Sequence, residues 1–203
     1  MKNTMSLIAL FAAFVLASMV SAFQTKHAAF HRRLSVLEAE ISTESFLAQN
    51  YPAFFSVVSK NEEVMKLLRE NPESGYTIFA FNFKAFEALG EKRRMQLSDD
   101  RNLETTQKIG AYHVVGIEAV SAEKLFSSGG IVTLGGVVDV GRSVSGGFLG
   151  VGGKEDGGIT INGAKVVESF TISRSCIVHE VDSLLSPQLL WRYLDQLRIP
   201  FSS

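Results

Sequence analysis

Gly158 to Pro187 reads GITINGAKVVESFTISRSCIVHEVDSLLSP, and its pattern decides the fold. Ile159 and Ile161 flank Thr160 in the alternation of a half-buried strand. Asn162-Gly163 suits the two positive φ angles of a two-residue hairpin turn, after which Ala164, Val166 and Val167 return antiparallel. A polar corner at Ser173 to Ser175 leads into a second apolar strand, Cys176 to Asp182, and Pro187 forbids further pairing. A stretch so committed to sheet core is a poor place for a catalytic triad.

Upstream, Tyr76 to Phe79 reads as a strand that runs into a helix from Phe83 to Leu89, with Asn82 as its N-cap. Earlier still, Ser45 to Ser59 divides at Tyr51-Pro52 into two short helices, Pro52 starting the second. Asn61 then caps Glu62 to Glu70, and Asn71 to Gly75 is a turn. Further helices are expected over Glu91 to Leu97, after Asn102 through Ile109, and after Ser121 through Phe126. Tyr112 to Val115 is expected as a strand. From Gly129-Gly130 onward the chain turns β-rich, with strands at Ile131 to Leu134 and Val137 to Val140 around Gly135-Gly136.

Three of these stretches resemble, in order, the signature elements of the fasciclin (FAS1) domain family. Thr77 to Phe86, TIFAFNFKAF, is similar to the family's TVFAPTDEAF; Ala111 to Val115 is similar to its YHVV; Ile161 to Val167 and Ile177 to Pro187 are similar to its VNGA-x-VV hairpin and VIHVID strand. The resemblance spans Ser42 to Pro187. It implies an α+β fold of short helices packed against a β-sandwich or twisted-sheet wedge, in which Phe79, Asn82, Asn162, Gly163, His179 and Asp182 hold structural positions. It also implies non-covalent protein or glycan binding, and a partner contact at the Tyr112-His113 pair, which animal members of the family use in adhesion. The chain departs from the pattern where the family's Pro and acidic residue become Phe81 and Phe83. Exposed, these rings would form an apolar patch for a partner; at least one is expected in the core.

With 203 residues the chain suits one domain plus appendages, and 20 basic against 21 acidic residues give no field for a nucleic-acid partner. Met1-Lys2, the apolar run Leu7 to Val20 and the small residues Val20-Ser21-Ala22 read as a signal peptide over residues 1–22. Residues 23–41 form a basic N-terminal extension, Phe23 to Arg33 containing no acid. A disordered mature terminus is one reading of it; the second half of a two-part plastid leader is the other. The domain then covers residues 42–187, and residues 188–203 add a helix whose Leu190, Leu194 and Leu197 share a face while Trp191 points elsewhere. Packing on its own domain and docking to a larger assembly with Trp191 as anchor are the two uses open to that helix. The mature chain carries no second apolar run of spanning length.

Little chemistry is written in the remaining motifs. Gly141 to Gly158 is glycine-rich, but Phe148 stands where a P-loop needs its first glycine and Glu155 where it needs a hydroxyl. The one cysteine, Cys176, excludes an internal disulfide and reads as a small buried hydrophobe. His113 and His179 lie on separate strands with no third ligand at metal-binding spacing, so neither metal nor cofactor is expected. Glu180, Asp182, Ser173 and Ser175 lie close to His179 in sequence, yet strand alternation turns Glu180 and Asp182 away from it. The expectation is therefore a non-enzymatic binding and adhesion module at the cell surface or matrix. A plastid-targeted subunit docking on a membrane complex is the alternative. A small hydrolase or ligand carrier is the third reading, and it requires a polar pocket holding His113 or His179.

Overall fold

The computed structural model describes residues 42–145 and 154–196. The expected signal peptide, the basic extension, the centre of the glycine-rich loop and Leu197 lie outside them. From Ser42 onward the chain forms one compact unit.

Three helices open it: α1 (Thr43–Asn50), α2 (Pro52–Val58) and α3 (Glu62–Glu70). Pro52 sits in the first turn of α2, where its missing N–H costs no hydrogen bond. Asn61 Oδ1 accepts from the amides of Glu63 and Val64, which caps α3. Strand β1 (Tyr76–Phe81) follows, then α4 (Phe83–Ala88), capped by Asn82 Oδ1 on the Ala85 amide, and α5 (Gly90–Ser98). A 3-10 turn, Asp100–Asn102, leads into α6 (Leu103–Ala111). Asn102 does not cap it with its side chain. Its amide is buried and donates instead to Gln96 O, while Asp99 caps the turn.

The expected strand Tyr112 to Val115 shrinks to β2 (Val114–Val115). Helical bonding outlasts α6, because the Tyr112 amide still donates to Lys108 and Ile109 and the His113 amide to Gly110. After α7 (Ala122–Ser127), capped by Ser121, come β3 (Gly130–Thr133), β4 (Gly136–Ser145), β5 (Lys154–Ile161), β6 (Ala164–Ser173) and β7 (Cys176–Val181). Strands β4 and β5 thus extend well into the glycine-rich stretch Gly141 to Gly158. The chain ends its described course in α8 (Gln188–Gln196).

Among the described residues, the seven strands join one sheet in the order β2-β1-β7-β6-β5-β4-β3. Only β1 and β7 run parallel, with Tyr76 opposite Cys176 and Phe81 opposite Val181. The sheet curls until its two edges meet, the Leu134 amide after β3 donating to Val114 O in β2. Asn162 and Gly163 form the β5–β6 turn with φ of 47° and 84°, the left-handed pair that such a turn demands. Val166 and Val167 do not both continue the ladder: a bulge between Val166 and Glu168 leaves Val167 exposed. Short helices on a strongly curled mixed sheet make the α+β architecture, and its core is filled by Leu47, Phe54, Tyr76, Ile78, Phe79, Phe81, Ile109, Leu125, Ile161 and Val178.

Candidate functional site

The two histidines of the domain are both fully buried. His113 follows α6 and turns inward, where Nδ1–H donates to Phe79 O at 2.6 Å and Nε2 accepts from the Leu185 amide at 3.0 Å. Phe54 and Phe81 meet the ring edge-on. One nitrogen donating and the other accepting describes a neutral imidazole, and burial pushes its pKa down to about 4. Its work is to tie β1 to the loop after β7.

His179 lies in β7 directly opposite Ser169 in β6. Its Nε2–H donates to Val120 O at 2.9 Å, so Nδ1 accepts from the Ser169 hydroxyl at 2.7 Å; Phe79 stacks on the ring. The hydroxyl that meets this imidazole is therefore Ser169, not Ser173 or Ser175, which bond each other. A serine on a histidine is the beginning of a nucleophile–base pair. Here the group that orients the ring is a neutral carbonyl, no carboxylate bonds either nitrogen, and burial lowers the imidazole's proton affinity. Glu180 points the other way, accepting from Tyr51 Oη at 2.8 Å and from Asn82 Nδ2 at 2.9 Å. That three-element junction holds α1, α4 and β7 together, and no sequence spacing announces it. Burial and Glu180 together hold the Tyr51 phenol far above its ordinary range.

Every buried side-chain polar atom among the described residues has a hydrogen-bond partner. Nor do three His, Cys, Asp or Glu side chains gather there as a metal would require. No helix among the described residues is long and apolar enough to cross a membrane.

What remains is surface. Phe81 and His113, expected as contact residues, have no exposed area: Phe81 faces Phe54 and Phe86 in the core, and His113 is sealed beneath β1, so neither side chain reaches a contact face. Phe83, in the first turn of α4, is 62% exposed. Trp191 is half-buried, and the Arg93 guanidinium of α5 lies 4.7 Å from its ring centre. Lys92 and Gln96 of α5 also hold Asp195, so α8 is docked on its own domain by the face that carries Trp191 and Leu194.

Tyr112 has another setting. Its ring lies along the backbone of the β3–β4 turn; a Cβ on Gly135 would stand 2.6 Å from Tyr112 N and 2.7 Å from its ring. Half-buried there, it lines a cleft of about 410 Å³ with Leu134, Leu190, Glu63, Glu104 and Lys108. Its lining sets Tyr112, Leu134 and Leu190 beside two carboxylates and one ammonium, Lys108 being paired to Glu104 at 2.7 Å. Two bonds tie the wall together, Asn61 Nδ2 donating to Gln107 O and Gln107 Nε2 to Lys60 O. A lining of apolar and charged groups together suits capture of a partner side chain.

Among the structural-motif positions, Phe79 is buried beneath His179, Asn82 caps α4, and Asn162 and Gly163 make the β5–β6 turn. Asp182 closes the end of the β6–β7 pair through the Lys165 amide.

A comparison with family models matches the fasciclin domain over residues 49–187. The search of curated proteins returns no match. Among solved structures the chain is similar to a FAS1 domain pair from the insect cell adhesion molecule Fasciclin I. That likeness has 18% identity and a TM-score of 0.46 over 65% of this chain and 43% of that one, so this chain spans less than half of the solved pair.

Proposed function

The chain belongs to the fasciclin domain family, and on that premise we propose that it is a non-enzymatic binding and adhesion module. It acts through contacts of its folded surface with a protein or glycan partner at the cell surface or matrix. The observation that carries this reading is the split of the Tyr112-His113 pair. His113 is consumed by the core, while Tyr112 stands at a cleft lined by apolar and charged side chains. Binding energy at such a contact concentrates in a few aromatic anchors, and Tyr112 is the aromatic this cleft presents. The burial and neutrality of both imidazoles argue against the hydrolase reading, which needs one of them in a polar pocket.

Surfaces coated with the purified chain are expected to retain cells of the source organism. Tyr112→Ala should lower retention several-fold, and Tyr112→Phe should keep most of it because the ring is preserved. Absence of retention by the unaltered chain, or equal retention by the alanine variant, removes the cleft from the contact.

A further inference from the structure

With Tyr112 as the contact site, the bonds already made along the cleft dictate what group it can hold. Its donors are engaged. Asn61 Nδ2 donates to Gln107 O, Gln107 Nε2 to Lys60 O, and the Lys108 ammonium sits on Glu104 at 2.7 Å. Its acceptors are left over. Gln107 has committed its amino group, so Oε1 is the atom it still offers. Glu63, exposed in the first turn of α3, has no ion pair or hydrogen bond on its carboxylate among the described residues. The positive end of α3 favours a carboxylate there, but Glu62 serves that end too, and of the two only Glu63 lines the cleft. Because Glu104 and Lys108 cancel, the lining keeps one negative charge.

The aromatic is uncovered as well. Elsewhere the chain lays its own guanidinium groups over aromatics of its surface: Arg93 lies 4.7 Å from the ring centre of Trp191, and Arg142 lies 4.6 Å from that of Phe126. Among the described residues no cation lies over Tyr112. A guanidinium can stack on an aromatic face and fork onto a carboxylate together, whereas an ammonium meets the carboxylate as a point charge. At about 410 Å³ the cleft is near the small end of the range for ligand sites, about 300 to 1,000 Å³, which suits a side chain rather than a folded element.

We infer that the cleft receives an arginine side chain of a protein partner, its guanidinium pairing with Glu63 and Gln107 Oε1, its plane lying on Tyr112 and its stem running along Leu134 and Leu190. This rests on the reading of the cleft as the contact site, and it narrows protein or glycan to a basic protein segment. Charge complementarity selects that occupant. An acidic glycan would be repelled by Glu63, and a neutral one would leave the carboxylate without a counter-charge. The pair stays open to solvent, so one arginine is held weakly, in the millimolar range.

Titration of the isotope-labelled full chain with acetyl-Gly-Arg-Gly-amide, followed by amide chemical shifts, tests this. Saturable shifts are expected around Asn61, Gln107, Tyr112 and Gly135. The matching lysine peptide should bind several-fold more weakly, and the citrulline peptide, which removes the charge but keeps the shape, should not saturate. Glu63→Gln and Tyr112→Ala should each lower affinity for the arginine peptide several-fold. Glu62→Gln removes the same charge one residue away and should bind like the parent. Thermal unfolding of each variant verifies its fold, and if Tyr112→Ala is unfolded the exposed Glu63→Gln decides. An unaltered chain that shows no saturable shift at tens of millimolar arginine peptide overturns the inference. So does equal affinity for the lysine or citrulline peptide, or unchanged affinity in Glu63→Gln. Cell retention separates this from the adhesion reading: retention that depends on Tyr112 without arginine binding removes the arginine and keeps adhesion, and arginine binding by a chain that retains no cells does the reverse.

Discussion

A proton on His113 has nowhere favourable to go. Both ring nitrogens are engaged, one giving its hydrogen to Phe79 O and the other accepting from Leu185, and the ring is fully enclosed. The unfolded imidazole, with its ordinary value of 6.5, takes up a proton as the pH falls, whereas the folded one declines it until about 4. Stability from this group is therefore complete above pH 6.5 and drains away between there and about pH 4, by roughly 3 kcal/mol in all. Urea unfolding at a series of pH values should show that loss. His113→Gln can replace both hydrogen bonds without titrating, and should flatten the slope. Sequence gave partial access to this chemistry. A histidine in an apolar stretch is legible as scaffold, and both imidazoles, His113 and His179, lie buried with two hydrogen-bond partners each. The resemblance pointed His113 toward a partner, and what turned it inward are bonds to residues 34 and 72 positions away, which no local spacing encodes.

At the scale of elements, turns and caps were the most legible features because their chemistry is local. Asn61, Asn82 and Ser121 cap the helices they precede, and Asn162-Gly163 takes the left-handed pair its side chains permit. Asn102 illustrates the limit: its amide is drawn off by Gln96 O, a partner supplied by packing of α5. The β3–β4 hairpin was legible as a hairpin, yet its dependence on Tyr112 was not. Gly135 is required there by contact, since any Cβ would enter Tyr112's backbone and ring. Gly135→Ala should cost about 1 to 3 kcal/mol, the range for forcing extra atoms into a packed site. The same change should weaken cell retention by displacing Tyr112; unaltered thermal stability would show that the hairpin simply shifts aside.

For the whole molecule, α8 is the test of where the folded unit ends. Leu194 is almost fully buried, Arg93 covers Trp191, and Lys92 and Gln96 grip Asp195. Leu194→Ala should cost about 2 to 5 kcal/mol, as for other leucines removed from a core, and chemical denaturation measures it. Asp195→Asn breaks an ion pair between half-exposed groups and should leave the denaturation midpoint nearly unchanged. Helical periodicity made the helix legible; the contact made by Trp191 was not, because its partner Arg93 lies on α5, far away in sequence. Least visible of all was the pairing of β1 with β7. Both read as apolar strands, and nothing in either specifies a parallel neighbour a hundred residues away.

That neighbour sets the order of events when the chain is made. Strand β1 leaves the ribosome early and waits with β2 as its one strand neighbour until Cys176 to Val181 emerge and slot in on its other side. Contacts of such long range close slowly, and strands held waiting for them are open to wrong partners. A nascent chain stalled just short of β7 therefore lacks the strand that joins the β1–β2 pair to the β3-to-β6 meander, and the sheet is completed in a late step rather than by growing from the amino terminus.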